Sequence, residues 1–250
     1  MLQNLKDENE LGHGSEMAKR GMSEPEMYAN SFSITIAGSE GTATALAGAT
    51  FLLLRHPGQY QRAVDEVRRA FHTEAEMTSR RISARVPFIE AILQEAMRLY
   101  PPVSITMPRR VPEGGAIIDG RFVAAGTTVG VNHLSCYRSS HNFEDAMDFW
   151  PERWLRVDGK DANSSDNFGA FQPFSFGPRS CLGKNLARAE MSLLLARILW
   201  RFDLHLVETD EGLSWLEKQR IWGFWQKSAL LCRLTPARRE VGTECVEPRK

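Results

Sequence analysis

Residues 174–185, FSFGPRSCLGKN, constrain the fold of this chain more than any other segment. Cys181 stands directly before an apolar run with helical spacing, so its sulfur is expected near unpaired backbone N–H groups and the positive end of the helix dipole. That setting favours the thiolate, the form of cysteine that binds metals. Gly177 and Gly183 would permit a tight backbone where a Cβ would clash, and Arg179 offers a fork of donors for a carboxylate. The segment therefore predicts a metal-binding cysteine loop in front of a helix.

The residues around Cys181 also form a family pattern. Phe174, Gly177, Arg179, Cys181 and Gly183 fill five positions of a ten-residue pattern. A free cysteine taken alone is most often a small buried apolar residue, but this pattern resembles the cysteine loop of the cytochromes P-450, the haem-thiolate monooxygenases. The resemblance implies that Cys181 is the axial ligand of the iron of haem b, and a thiolate ligand favours O–O cleavage. It also implies that Arg179 meets a haem propionate and that Phe174 and Gly183 lie beside the ring.

Composition narrows the class of protein further. The chain balances 31 basic against 31 acidic residues, which gives no argument for nucleic-acid binding. The longest apolar run, residues 45–54, is too short to span a membrane, and the polar N-terminus lacks a signal peptide's hydrophobic region. The four cysteines lack disulfide or zinc-site spacing, which is typical of reduced thiols facing the cytosol. They are Cys136, Cys181, Cys232 and Cys245.

Apolar patterning predicts a mainly α fold with a minor β-sheet. Ser23, Pro25 and Glu26 mark the start of an unusually long helix that stops at His56-Pro57. Further helices are predicted at 58–71, at 87–100 and after Cys181, the last with a nearly continuous apolar face made of Leu186, Ala187, Met191, Leu193, Leu194 and Leu195. Short strands are predicted at 116–118, 121–123, 127–131, 202–207 and 228–234, with a polar surface loop at 157–170. Residues 1–21 are predicted to be a polar leader, 22–236 one domain and 237–250 a disordered tail.

Two other segments contain charged residues that the same family carries in this order. Glu95 and Arg98 lie three residues apart on a predicted helix, and such pairs are usually solvated. The resemblance implies instead that they form a structural cluster with Arg153 beneath the cysteine loop. Arg109 and Arg110 form a basic pair before the first β-turn, and the resemblance implies that one of them meets a haem propionate. The sequence does not choose between Arg109 and Arg110.

The predicted long helix contains the segment AGSEGT, residues 37–42. It resembles the family's oxygen-activation segment, where an acid and the threonine that follows it relay protons. Glu40 supplies the acid, whereas Gly41 occupies the threonine position. Thr42 follows, about 100° further around a helix, and is the remaining candidate hydroxyl. This departure puts efficient oxygen activation in question and leaves haem binding untouched.

The resemblance runs from about Gly21 to Pro236 and is greatest to membrane-bound fungal members that tailor secondary metabolites. Because family members are about twice as long, it predicts the C-terminal half of the cytochrome P-450 fold, without the membrane anchor. The implied reaction is hydroxylation of a small apolar substrate, with electrons from NADPH-cytochrome P-450 reductase docking near Lys184 and Arg188. Full-length members lie on the cytosolic face of the endoplasmic reticulum, and a chain without the anchor would be cytoplasmic.

Two alternatives remain at this point. One is a haem-thiolate isomerase or dehydratase, which needs no acid–alcohol relay and is motivated by Gly41. The other is a truncated, non-catalytic fragment or pseudogene product, in which the long helix would expose an apolar face to solvent.

Overall fold

The computed structural model describes residues 21–157, 160–161, 165–207 and 215–238. Its helices are α1 (Glu24–Arg55), α2 (Pro57–Ala70), α3 (Ser79–Arg85), α4 (Pro87–Leu99), α5 (His133–Tyr137) and α6 (Lys184–Arg201). Single 3₁₀ turns lie at Glu74–Glu76, Pro151–Trp154, Phe168–Ala170 and Gly177–Arg179. The predicted mainly helical fold is confirmed. The greater part of the predicted leader and tail, residues 1–20 and 239–250, lies outside the described residues.

The strands are short and pair two by two. They are β1 (Arg109–Arg110), β2 (Ala116–Ile118), β3 (Arg121–Val123), β4 (Thr128–Val129), β5 (Arg156–Val157), β6 (Lys160–Asp161), β7 (Phe202–Leu206), β8 (Arg220–Ile221), β9 (Trp225–Gln226) and β10 (Cys232–Pro236). Within the described ranges they form the antiparallel pairs β1–β4, β2–β3, β5–β6, β7–β10 and β8–β9. The minor β structure is therefore a set of separate ladders rather than one sheet. The β5–β6 pair overlaps the start of the stretch 157–170 that was predicted to be a polar loop.

Local signals set the ends of α1 as predicted. The Ser23 backbone N–H and hydroxyl both donate to the Glu26 carboxylate, at 2.8 and 2.7 Å. The hydroxyl bond first, and then the backbone bond, lower the pKa of Glu26. At the other end α1 stops at Arg55, and Pro57 opens α2 in the first turn, where its missing N–H does no harm. In the described part of the chain no helix has both the length and the apolar content to cross a membrane.

The chain divides into two units, Met1–Ser39 and Glu40–Lys250. In the first unit the described part of α1 exposes large apolar side chains, namely Met27, Tyr28, Phe32, Ile34 and Ile36. In the second unit α4 is the central helix, with Phe88, Ile89, Ile92 and Leu93 fully buried. It packs against α3, α6 and the turn at Pro151–Trp154. The core of the second unit is therefore built around α4.

Two of the predicted elements differ from the structure. The last strand was expected at 228–234 but occupies Cys232–Pro236, because pairing with β7 places Pro236 opposite Phe202 and Cys232 opposite Leu206. The Ser228 carbonyl instead accepts a hydrogen bond from Trp215 Nε1 at 2.9 Å. The strand expected at 127–131 is reduced to β4. Tertiary pairing overrides local β propensity at both places.

The predicted apolar face of α6 is only partly buried. Met191, Leu195 and Leu199 are buried, each four residues after the one before, so they share one side of the helix. Leu186 and Leu194 are 64% and 46% exposed. Leu186 lies in the first turn of α6, on the side of the cysteine loop.

Candidate active site

The cysteine loop is held by its own backbone. The Cys181 N–H donates to the Phe174 carbonyl at 2.8 Å, and the Ser180 N–H donates to the Gly177 carbonyl at 2.9 Å. Gly177 has φ +77°, a left-handed conformation that favours glycine. Gly183 has φ −82°, and a Cβ there would lie 3.9 Å from the Cys181 sulfur, an ordinary contact. The backbone conformation therefore favours glycine at position 177, as predicted, but does not require it at position 183.

The outer surface of this loop is apolar around an exposed thiol. Cys181 is exposed and free of any disulfide. Phe176 and Leu182, on either side of it in the chain, are 81% and 104% exposed, and Leu186 follows in the first turn of α6. Arg179 is exposed as well and has no hydrogen-bond or ion-pair partner among the described residues.

This surface fits haem b. A soft thiolate is a suitable axial ligand for haem iron. Exposed aromatic and aliphatic side chains beside the sulfur would be covered by an apolar macrocycle, and burying them would be favourable. A guanidinium without a carboxylate partner suits a propionate. The donor set and its surroundings are therefore those that a haem-thiolate site needs on the sulfur side.

Phe174 lies on the inner side of the loop, packed against the hydrophobic core. Its ring centroid is 5.7 Å from the Arg188 guanidinium carbon. Both residues line a cleft of about 310 Å³ together with Lys184. Arg188 Nε is 3.6 Å from the Glu90 carboxylate. Burial raises the pKa of Glu90, and the positive charge of Arg188 partly offsets this increase. Of the two cations predicted to meet a reductase, Arg188 is thus already engaged with Glu90.

Arg109 and Arg110 make up the strand β1, opposite Val129 and Thr128 of β4. Both are exposed, and Arg109 Nη1 donates to the Pro108 carbonyl at 2.9 Å. Neither forms an ion pair with a carboxylate in the described ranges. Neighbouring side chains of a strand leave the backbone on opposite faces, so the two arginines start from opposite sides of the β1–β4 pair.

Glu40 lies in a polar cluster that the sequence did not predict. Lys227 Nζ forms an ion pair with the Glu40 carboxylate and donates to Thr44 Oγ1 at 2.8 Å. Thr44 Oγ1 in turn lies 3.4 Å from Glu40 Oε1. Thr44 is four residues after Glu40, on the same side of α1, so helical spacing could have found it. Lys227 is 187 residues from Glu40, and no local signal points to it.

Thr42, the predicted hydroxyl of the relay, is not part of this cluster. It is two residues after Glu40, about 200° around a regular helix. Its side chain is half-buried and has no hydrogen-bond partner among the residues that the structure describes. Among the described residues, no hydrogen bond or ion pair joins Glu40, the cysteine loop and β1 to one another. Of the residues predicted to bind haem or relay protons, Phe174 and Cys181 are the pair that a hydrogen bond joins within the described ranges, through their backbones.

The predicted cluster of Glu95, Arg98 and Arg153 is confirmed, and all three side chains are fully buried. Glu95 accepts from Arg98 Nε and Nη2 at 2.9 and 2.8 Å and from Arg153 Nε at 3.1 Å. The Trp154 indole N–H adds a bond of 2.8 Å. The sequence missed Asp166, which accepts from Arg153 Nη1 at 2.6 Å and balances the second arginine.

The cluster lies next to the cleft behind the cysteine loop, because Arg153 and Trp154 line that cleft together with Phe174. Arg98 also donates to the carbonyls of Tyr137 at 2.9 Å and Ala146 at 2.6 Å. Each guanidinium is thus satisfied by protein groups alone, as a buried charge requires. The cluster holds several segments in place and offers no free group for chemistry.

Comparisons with a family model and with curated proteins point to the same family. A family model described as Cytochrome P450 matches residues 4–232. The cytochrome P450 monooxygenase aclL of Aspergillus oryzae is 46% identical over 220 residues, which cover 88% of this chain and 44% of that protein. The averantin hydroxylase of Dothistroma septosporum is 45% identical over 219 residues, covering 87% of this chain and 41% of the relative. The chain thus spans less than half the length of these curated relatives.

Proposed function

Because the chain belongs to the cytochrome P450 family, we propose that it provides the haem-binding part of a monooxygenase that hydroxylates a small apolar molecule. The observation that carries this proposal is the exposed Cys181 between exposed Phe176 and Leu182 on a loop with a positive φ at Gly177. We further propose that residues 22–236 act as one haem-thiolate domain, which the family match to residues 4–232 supports.

In this proposal the chain's own residues hold the haem. Cys181 donates its sulfur to the iron, and Arg179 pairs with one propionate. One of Arg109 and Arg110 pairs with the other propionate, because a strand presents only one of them to a given side. Phe174 supports the loop from behind, and Gly183 lies beside the ring. When bound, the haem supplies oxygen activation, while the protein supplies ligation, orientation and electrostatics.

Glu40 is the proposed proton carrier, and Thr42 is the proposed hydroxyl of the relay, although the two side chains leave α1 about 200° apart. A positioned proton donor contributes typically about 10²–10⁴-fold to the rate. Glycine at position 41 provides no hydroxyl, and the hydroxyl in contact with Glu40 belongs to Thr44. Proton delivery in this chain therefore depends on how the Glu40 carboxylate is held.

The substrate, electron donor and cellular location are proposals from the family. The relatives are named as fungal monooxygenases and hydroxylases, which supports a small molecule of fungal metabolism as substrate. We propose NADPH-cytochrome P-450 reductase as electron donor, docking on the cysteine side near Lys184. The proposed location is the cytosolic face of the endoplasmic reticulum.

The ligand assignment is tested with carbon monoxide difference spectra of the reduced, haem-loaded protein. We expect Cys181→Ser to abolish the red-shifted band that thiolate ligation produces. Cys136→Ser and Cys232→Ser are matched controls, because both thiols are half-buried and burial raises the pKa of each. Survival of the band in Cys181→Ser, together with its loss in a control, would overturn the assignment.

A second candidate function is a haem-thiolate isomerase or dehydratase, which would need no proton relay. Two observations favour it: position 41 is glycine, and the Glu40 carboxylate is engaged by Lys227. The two functions differ in co-substrates. A monooxygenase forms product only with NADPH and dioxygen, whereas an isomerase or dehydratase forms it without them.

A further inference from the structure

A hairpin near the end of the described chain is anchored just before Lys227. Residues 215–227, which contain β8 and β9, are called the C-terminal hairpin. Trp225 stacks on Tyr100 with ring centroids 4.3 Å apart, and its indole N–H donates to the Pro101 carbonyl at 2.7 Å. Trp225 is buried, and aromatic pairs of this kind add stability beyond the area that they bury.

The helix α1 is fixed against the same tyrosine. A Cβ at Gly48 would overlap the Tyr100 ring, so α1 makes its close approach there because position 48 has no side chain. Gly48 is eight residues after Glu40, on the C-terminal side of Thr44. One ring therefore contacts both the helix that carries Glu40 and the hairpin that carries Lys227.

This common support sets where the Lys227 ammonium lies. Lysine has a long flexible side chain, and ordering it costs conformational entropy. The Cα of Lys227 is fixed because it lies two residues after the anchored Trp225. The ammonium at the other end of the side chain is held by Glu40 and by the buried Thr44 hydroxyl. The side chains of Lys227 and Glu40 are only 22% and 36% exposed, so water screens this pair less than a surface pair.

We propose that Lys227 is a positioning residue that holds the Glu40 carboxylate beside Thr44. The ammonium bridges both acceptors and so keeps the carboxylate in one rotamer on the side of α1 that carries Thr44. Its importance for turnover rests on the proposed function, in which Glu40 carries protons. The ion pair itself does not depend on that function and can be tested separately.

The first experiment needs no haem chemistry. In a double-mutant cycle followed by urea unfolding of the whole chain, Lys227→Met and Glu40→Gln should couple by about fivefold in the unfolding equilibrium constant. Lys227→Arg should restore most of this coupling. Arg233→Met is the matched control, since Arg233 is exposed and has no ion pair with another described residue; it should be additive with Glu40→Gln. Additivity of Lys227→Met with Glu40→Gln would overturn the proposal.

A second measurement covers the case in which a variant unfolds. Lys227 acetylation by acetic anhydride, quantified by mass spectrometry on the folded chain, should rise several-fold in Glu40→Gln and stay unchanged in Glu90→Gln. Glu90 is the matched control because its cation is Arg188. Equal acetylation of Lys227 in the native chain and in Glu40→Gln would also overturn the ion pair.

The positioning role is measured in the haem-loaded protein with its reductase. Lys227→Met should lower the product formed per NADPH consumed and change its pH profile, Lys227→Arg should retain most of the yield, and Arg233→Met should leave it unchanged. An unaltered yield and pH profile in Lys227→Met, alongside coupling in the cycle, would make the pair merely structural and reject the positioning role. If the native chain forms no NADPH-dependent product, the proposed function fails, while the cycle and the acetylation still decide the ion pair.

Discussion

Replacing Glu95 by Gln should destabilise the protein severely. The substitution keeps the shape of the side chain but removes one of the two negative charges that balance Arg98 and Arg153. It also turns an amide NH₂ towards donors of Arg98 and Arg153 that now point at carboxylate oxygens. Both arginines are fully buried, so water cannot replace the lost acceptor.

The expected cost is about 3–5 kcal/mol, the range for breaking a buried ion pair by removing one partner. A loss of this size is a large fraction of the stability of a typical domain, about 5–15 kcal/mol. Urea unfolding followed by circular dichroism at neutral pH measures it, and we expect a much lower midpoint with little change in slope.

Glu152→Gln is the matched control for this experiment. Glu152 accepts from Arg62 Nη1 at 2.8 Å and from Gln59 Nε2 at 3.1 Å, but the Glu152 side chain is 28% exposed. Its loss should cost less than about 1 kcal/mol, as for other solvent-accessible pairs. If Glu95→Gln cost no more than Glu152→Gln, the argument that burial makes this cluster indispensable would be wrong.

Two further predictions concern α1 and α5. Gly48→Ala should destabilise the chain by about 1–3 kcal/mol by overpacking against the Tyr100 ring. Gly41→Ala should instead stabilise it by up to about 1 kcal/mol, because no atom lies within 4 Å of the added Cβ. Equal effects of the two substitutions in thermal unfolding would contradict this contrast. Burial lowers the pKa of His133 below 6.5, against a hydrogen bond to the Val103 carbonyl that raises it. Below about pH 6.5 the unfolded chain therefore binds more protons at this position than the folded chain, so the stability decreases as the pH decreases. His133→Phe should reduce the fall in melting temperature between about pH 7 and 5, and an identical fall in both proteins would refute the assignment.

Local signals account for the part of the fold that was predicted correctly. The Ser23–Glu26 pair and Pro57 set the two ends of α1 because capping and proline geometry act within a few residues of the chain. Glycine turns placed β2 and β3 in the same way. In the cysteine loop, Gly177 could be interpreted correctly because its conformation is a backbone property.

The parts that sequence reasoning missed depend on contacts between distant segments. Asp166 completes the buried cluster from a polar stretch with no pattern of its own, and Lys227 reaches Glu40 from the other end of the chain. The register of β10 follows its partner β7 rather than its own propensity. The exposure of Leu186 belongs to the same class, since it depends on which face of α6 the neighbouring helices cover.

The buried cluster also constrains the order in which the chain can fold during synthesis. α4 leaves the ribosome before the carbonyls of Tyr137 and Ala146 that bind Arg98, and long before Asp166. At about 5–20 residues per second, the delay between α4 and Asp166 is on the order of several seconds. Until then the charged side chains of Glu95 and Arg98 have a lower free energy in water than in a core that lacks their partners. The charged side of α4 therefore stays solvated until the later segments are made. A nascent chain that is released or cleaved within this interval lacks those later partners, and we expect its central helix to stay accessible to chaperones and proteases.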